Sequence, residues 1–451
     1  MRQMSRQLEF PWMDRGESPK DPRSDESLMA KQGDELSGED RLMEQVLAHV
    51  NMKAALGRVK RNRGGPGVDG MTVDELLPYL WEHWEKIKSS LLDGTYKPSP
   101  VKRQEIPKSG GGIRELGIPT VLDRLIQQAL LQILQPQFDP TFSDHSYGFR
   151  PGRSAHGAIR ASQQYVQEGR RVVVDVDLEK FFDRVNHDIL MGKLAKRIAD
   201  KRILGLIRRY LQSGVMADGM RIERRQGTPQ GGPLSPLLAN VLLDEVDQEL
   251  ERRGHAFVRY ADDGRVFVRS KRAGERVMRH LHKLYGNLHL KINEAKSAVA
   301  SAYKRDFLGF GLWSAPGKKV RLRVSKKALE RMKDRVREVT SRNRGHSIQS
   351  VAGELRRYLL GWRGYFGIVH TNKILAKQDE WIRRRLRMLH LKQWKRGRTA
   401  FRELRARGAS KRVAAEVAGH TQRWWRTAKG VIHHILNNSY FDQMGIPRLD
   451  E

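Results

Sequence analysis

Two adjacent carboxylates, Asp262 and Asp263, stand in Tyr260-Ala261-Asp262-Asp263, between Phe257-Val258-Arg259 and Arg265-Val266-Phe267-Val268. The pattern is strand, tight turn, strand, with the acids at the turn. Burying unpaired charges costs several kcal/mol, so a core position is ruled out. Two readings remain: an exposed Asp-Asp turn, or a site that holds a hard cation through carboxylate oxygens. A second acidic run decides between them. Val172-Val173-Val174-Asp175-Val176-Asp177-Leu178 puts two carboxylates on one face of a strand and valines on the other. A carboxylate at the end of a buried strand, beside an Asp-Asp hairpin, completes a two-metal cluster. Such clusters hold ions about 3.5–4 Å apart and clamp both oxygens of an in-line phosphoryl displacement.

The elements that must position these acids follow from the spacing of apolar residues. A helix starts near Asp40, with Leu42, Val46, Leu47 and Val50 on one face. The stretch from Arg61 to Gly70 is a glycine-rich loop whose backbone N–H groups, with Arg61 and Arg63, suit phosphate. Residues 99–118 read as a two-stranded hairpin turning at Ser109-Gly110-Gly111-Gly112. Helices are expected over 121–134, 154–168 and 233–253, a strand over 171–178, and a strand–turn–strand unit over 257–269. This order predicts an α+β fold rather than a doubly wound sheet. Beyond residue 323 the pattern is helical, with Leu355, Tyr358, Leu359, Trp362 and Phe366 spaced to form a packed stripe. Residues 1–38 are polar and read as a flexible leader.

Charge names the class of partner. Lys and Arg total 85 against 52 Asp and Glu, a net of +33, and a polyanion must balance it. From Trp381 to Arg412 thirteen Lys or Arg face one acid, Glu403, and that imbalance marks Arg383, Arg384, Arg385 and Arg387 as RNA contacts. The absence of cysteine excludes disulfides, thiolate catalysis and Cys-based zinc sites. No apolar run is long enough to span a membrane, and no signal core follows Met1. A cytosolic protein without a membrane partner is expected.

At these residues a family resemblance becomes plain. Asp177-x-x-x-x-Phe182-Asp183, then Gln226-Gly227-Thr228-Pro229-Gln230-Gly231-Gly232-Pro233-Leu234-Ser235-Pro236, then Tyr260-Ala261-Asp262-Asp263 resembles the reverse transcriptases of group II introns. Ile106-Pro107-Lys108 with Arg114-Glu115-Leu116-Gly117-Ile118-Pro119, Tyr147-Gly148-Phe149-Arg150-Pro151-Gly152-Arg153 and Phe307-Leu308-Gly309-Phe310 fit the same family. The resemblance implies a right hand of fingers, palm and α-helical thumb. It implies RNA-directed DNA polymerisation with two Mg2+ ions and dNTP substrates, on an RNA template with a DNA primer. Asp177, Asp262 and Asp263 match the catalytic metal ligands, joined by the Leu178 carbonyl; Asp175 is the rival for the first role. Phe182 matches the gate against ribonucleotides. Gln230 and Gly231 match the strip along the incoming nucleotide, Lys108 and Arg114 the triphosphate clamp, and Lys296 a lysine near the leaving pyrophosphate.

The resemblance also implies an intron maturase that binds group II intron RNA, assists splicing and takes part in retrohoming into target DNA, in a prokaryotic cytosol or nucleoid. Expected bounds are 1–38 for the leader, 39–322 for fingers and palm, 323–395 for the thumb or maturase domain X, and 396–451 for a short basic nucleic-acid-binding region. Many relatives carry an endonuclease domain with Cys-ligated metal. Without cysteine, and with His433 and His434 lacking partners at ligand spacing, this chain is expected not to cut its own target strand. The alternatives are a stand-alone relative recruited to host defence or repair, and a splicing factor with a dead polymerase, against which the intact acids argue.

Overall fold

A computed structural model describes residues 41–107, 112–217, 220–222, 226–228, 231–420 and 423–450. The leader read over residues 1–38, together with Lys108 and Gln230, lies outside them; for Arg114 only the backbone is described. The helix expected from Asp40 is two helices, Leu42–Leu47 and His49–Asn62, broken at Ala48, whose ψ of 141° is extended. The break resets the helical phase. Leu42, Val46 and Leu47 stay buried, whereas Val50 is 58% exposed and Met52, Leu56 and Val59 carry the next buried stripe. The expected place of Val50 is corrected accordingly.

The strands in chain order begin with β1 (Val101–Pro107), β2 (Ile113–Ile118), β3 (Val172–Val176), β4 (Val215–Ala217) and β5 (Met220–Ile222). They continue with β6 (Ala256–Tyr260), β7 (Asp263–Val268), β8 (Ala298–Ser301), β9 (Phe310–Ser314) and β10 (Val320–Val324). They form sheets in the orders β2-β1-β4-β5, β6-β7-β3-β8 and β10-β9. The hairpin read over 99–118 is the β1–β2 pair, in register from Lys102 opposite Ile118 to Pro107 opposite Ile113. Together with the helices around these sheets, the fold is α+β.

Two compact units divide the chain: one runs to Ala158 and resumes over Val172–Val299, the other comprises Ile159–Arg171 and Ala300 onward. In the first, helices Ser235–Arg252 and Lys271–Asn287 pack on the β6–β7–β3 sheet. Val174, Phe257 and Val266 share a buried core there. Neighbouring helix Val121–Phe138 is capped by Thr120, whose hydroxyl accepts from the Asp123 amide. Among the described residues no helix is long and apolar enough to cross a membrane.

The second unit holds the β9–β10 hairpin and helices Lys326–Val339, Ile348–Phe366 and Asn372–Trp394. Leu355, Leu359, Trp362 and Phe366 are buried, as their spacing predicts, and Phe366 packs 5.0 Å from the Phe310 ring. The segment after residue 396 folds back on Asn372–Trp394, and the arginines expected to face RNA do the fastening. Arg383 is only 1% exposed. It donates to Asp379 at 3.0 Å and to Asp442 at 3.1 Å. Arg387 is also buried; its Nε donates to the Leu436 carbonyl at 2.7 Å and its guanidinium lies 5.7 Å from the Phe441 ring centre. Asp379 accepts in turn from the Leu449 amide at 2.7 Å. Positions 379, 383 and 387 recur every four residues, so they share one stripe of the helix, the one the C-terminal segment covers. Arg383 and Arg387 are therefore packing residues, not RNA contacts.

Replacing Arg383 by Met leaves the buried Asp379 carboxylate without its ion-pair partner, whereas Asp442 keeps Arg448. The expected cost is about 3–5 kcal/mol, against about 1 kcal/mol or less for Arg384→Gln. Thermal melting of the two variants checks this, and equal melting points would contradict the packing role.

Candidate active site

The Asp262–Asp263 turn is the shortest connection between β6 and β7, with Tyr260 paired to Asp263. Two residues make the bend, and Ala261 enters it at a φ of 59°. A side-chain-bearing residue in the left-handed region is strained by about 1–2 kcal/mol, so the surroundings must hold it there. Arg259 does so from below. Its Nη1 donates to the Ala261 carbonyl at 2.9 Å and to Asn240 Oδ1 at 2.9 Å. Its Nε and Nη2 donate to Asp247 on helix Ser235–Arg252, the shortest contact being 2.6 Å. Both side chains of this pair are almost wholly buried. Burial works against the Arg259 charge, but the Asp247 carboxylate more than offsets it and holds the guanidinium above its ordinary pKa.

The chain at His145–Gly148 closes over the turn. The Tyr147 amide donates to the Arg259 carbonyl at 2.8 Å, and the Arg259 amide to the His145 carbonyl at 2.9 Å. A Cβ on Gly148 would fall 2.2 Å from the Ala261 nitrogen, so only glycine lets the two backbones meet. Asn240 donates to the Gly148 carbonyl at 3.0 Å and so links both sides.

On β3 and β7, Asp175 is opposite Arg265 and Val176 opposite Gly264. One further step of that register sets Asp177 opposite Asp263, on the face shared with Asp175 and Arg265. Asp175 and Arg265 are buried and ion-paired at 3.1 Å, so the rival for the catalytic role is a structural partner. Asp177 lies past the end of β3 and is held by its backbone. Its amide donates to Ser297 Oγ at 3.0 Å, and its carbonyl accepts from the Asn293 amide at 2.8 Å. Leu178 bridges Ile292 in an antiparallel pair whose bonds use the Asp177 carbonyl and the Glu179 amide. Leu178 thus occupies a non-hydrogen-bonded position, and its own carbonyl is not spent on that pair.

The electrostatics of this face suit a cation. Burial is the main force that pushes the Asp263 carboxyl up to about 7; Arg265 opposes it, and Asp175, Asp262 and Asp177 push the same way. The Lys296 ammonium lies 3.3 Å from Asp177 Oδ2. Among the described residues no three acidic or histidine side chains converge closely enough to hold a metal as they stand. The donor set nonetheless fits a divalent cation: it offers oxygen donors only, and Asp175, Asp177 and Asp262 all act on Asp263 as like charges.

The described part of the strip expected to line a nucleotide is joined to the segment that follows Asp177. Phe182 is half-buried in the short helix Phe181–Arg184, its ring edge-on to Phe181 at 5.0 Å. The Phe182 carbonyl accepts from the Thr228 amide at 2.7 Å, and the Val185 carbonyl from the Gly227 amide at 2.8 Å. These two bonds tie Gly227 and Thr228 to the segment that carries Phe182. Gly231 approaches the finger hairpin so closely that a Cβ would lie 2.7 Å from the Gly117 carbonyl. Arg114 lies on β2 opposite Ile106, at the tip-ward end of that hairpin.

Of the remaining expected RNA contacts, Arg61 and Arg63 are exposed at the end of His49–Asn62, where Arg63 closes the helix at a φ of 44°. Arg384 and Arg385 are half-buried in the second unit. Sequence reasoning missed Arg259, Asp247, Asn240 and Gly148. One signal was present: an arginine inside the apolar strand Phe257–Tyr260 requires a buried acid somewhere.

Residues 106–312 match the family described as reverse transcriptase (RNA-dependent DNA polymerase), and residues 329–408 match the group II intron, maturase-specific domain. Protein YkfC of Escherichia coli (strain K12) is 34% identical, over 52% of this chain and 72% of that protein. The group II intron-encoded protein LtrA of Lactococcus lactis subsp. cremoris is 40% identical, over 41% of this chain and 31% of LtrA. An uncharacterized 91 kDa protein in the cob intron of Schizosaccharomyces pombe is 32% identical, over 53% and 28%. The chain thus spans less than a third of the length of the last two.

Two outcomes are expected of this geometry. Arg259→Lys keeps the charge but cannot make the forked contacts to Asp247, Asn240 and Ala261. Polymerisation rate should fall by about tenfold or more with little change in dNTP KM, because the turn is misplaced and nucleotide contacts are not. Steady-state primer extension reads this split, and an unchanged rate would dismiss the positioning role. The second outcome concerns pH. The folded chain keeps the Asp263 proton up to about pH 7, whereas the unfolded chain loses it near pH 4. Metal-free protein should therefore lose stability as pH rises through that window. Asp263→Asn should melt higher than wild type at pH 8 and near it at pH 4, each kcal/mol showing as about 2–4 °C. Equal melting curves at pH 8 would count against the raised carboxyl.

Proposed function

The chain belongs to the family of group II intron reverse transcriptases and maturases, an RNA-directed DNA polymerase with a maturase domain, and on that premise we propose that DNA synthesis takes place at the Asp177–Asp262–Asp263 face. The observation that carries the reading is the register that sets Asp177 opposite Asp263 beside a turn bearing Asp262. Two Mg2+ ions, held by these three carboxylates and the Leu178 carbonyl, would acidify the primer 3′-hydroxyl and neutralise the leaving pyrophosphate.

The protein's own groups do the rest. Arg259, Asp247 and Gly148 keep the turn in a single conformation, so the carboxylates are pre-organised and little is lost to reorganisation during reaction. Lys296, in contact with Asp177, supplies a cation on the side where the pyrophosphate charge develops. Phe182 presents its ring where a ribose 2′-hydroxyl would clash, which favours dNTPs, and its carbonyl bond to Thr228 keeps it from yielding. Lys108, Arg114 and Gln230 complete the nucleotide contacts from the finger hairpin and the strip.

The substrates in this reading are an RNA template with a DNA primer. The maturase-specific domain supports binding of the parent group II intron RNA and assistance to its splicing, and retrohoming into target DNA joins the two activities. A prokaryotic cytosol or nucleoid suits all of these partners.

Asp262→Ala and Asp177→Ala should each abolish primer extension on an RNA template while intron RNA affinity, measured by filter binding, stays within about twofold. Extension near the wild-type rate in either variant would refute the assignment.

A further inference from the structure

We propose that a concavity in the second unit, formed around Trp381 and Trp425, binds one unpaired nucleotide of single-stranded RNA, with the base on an indole face and the phosphate among Arg337, Arg342 and Arg385. The choice of RNA as the strand rests on the function proposed above. The geometry of the site does not.

The cavity measures about 520 Å3, and its lining contains three arginines and no acid. That volume lies within the roughly 300–1,000 Å3 typical of small-molecule sites. Two guanidinium groups flank the Trp381 ring, Arg337 at 5.7 Å and Arg385 at 5.6 Å from its centre. Arg384 covers one face of Trp425 at 3.9 Å, yet that tryptophan remains 40% exposed. A planar base can take the ring area that is left. Sequence-tolerant stacking of this kind is how single strands are held, because every base has a π face.

The cations are crowded without compensation inside the cavity. Burial, and then the charges of Arg337 and Arg342, lower the pKa of Arg385. Arg385 satisfies its Nε on the Thr340 hydroxyl at 2.6 Å, not on a carboxylate. Arg337 does meet Asp334 at 2.5 Å, but both side chains are more than half exposed, so water screens that pair. Compare Arg383 on the same helix: it is buried and meets two carboxylates, so its charge is settled within the fold. Around Trp381 the missing anion must come from outside, and a phosphodiester supplies it next to a base. An acidic peptide would satisfy the arginines and leave the exposed indole unused.

The test uses the full chain with an unstructured 12-nucleotide oligoribonucleotide, a fully abasic strand of equal length and a blunt RNA duplex. Trp425→Ala should weaken binding of the base-bearing strand by about tenfold while leaving the abasic strand and the duplex unchanged, and Trp425→Phe should restore it. Arg342→Gln should weaken both single strands and lower the salt dependence of binding by about one phosphate contact. Arg342 is exposed, so that variant keeps the test valid even if circular dichroism shows Trp425→Ala to be misfolded. Wild-type-like affinity in folded variants would overturn the proposal. So would equal losses on base-bearing and abasic strands with Trp425→Ala, or competition by polyglutamate as strong as by RNA. Extension of a saturating primer–template should be unchanged in all three variants; absence of extension by the wild type would instead refute the polymerase reading and leave the binding result standing.

Discussion

The turn that bears Asp262 and Asp263 hangs on one buried ion pair. Arg259 and Asp247 are both nearly inaccessible, and such a pair gains little net stability, because desolvation consumes most of the Coulomb attraction. Its value lies in direction. A guanidinium has a fixed fork of donors, so once Asp247 and Asn240 occupy part of it, the rest points at one place, the Ala261 carbonyl. The strained turn that bears two acids is thereby held from below, while Gly148 closes it from above. A polymerase needs its metal ligands placed to a fraction of an ångström, and a loop held only by apolar packing would not achieve that.

The second organising constraint is a negative face on a strongly positive chain. A net charge of +33 favours polyanionic partners such as nucleic acid. Burial, with the repulsion of the neighbouring carboxylates added to it, keeps a proton on Asp263 up to near neutrality. Arg265 and Lys296 temper that repulsion without abolishing it: the first is bound to Asp175, the second rests against Asp177. Two charge patterns of opposite sign therefore divide the work. The broad positive field gathers nucleic acid, and the small negative cluster is fitted to divalent cations.

Arginine plays three physical roles in this chain, and composition does not separate them. In Arg259 and Arg383 it is a buried connector between elements. In Arg384 it is a lid over an indole, its guanidinium 3.9 Å from the Trp425 ring centre and donating to the Trp425 carbonyl at 2.8 Å. In Arg342 it is an exposed cation beside Trp424, with the ring centre 5.0 Å away. What distinguishes them is the presence of a carboxylate or carbonyl within reach, which depends on segments far apart in the chain. Asp442 reaches Arg383 across 59 positions.

The sequence alone determined the elements and the acids. The choice of Asp177, Asp262 and Asp263 as a set came from the family resemblance; strand periodicity located β3, β6 and β7 and put acids at the end of one strand and at the turn of a hairpin, because alternation along a strand and the shortness of a hairpin are local properties. It determined the helical core of the second unit for the same reason. Tertiary structure alone decided that Asp175 is held in a buried ion pair while Asp177 lies past the end of the strand, since that depends on Arg265 being the residue opposite Asp175 on a partner strand. It decided that Ala48 breaks a helix and turns Val50 outward. It decided that Arg383 and Arg387 fasten the C-terminal segment, although by charge they look like RNA contacts. Local sequence encodes backbone preference and which face is apolar; a charge's role is set by what lies a few ångströms away, and only the folded chain brings those groups together.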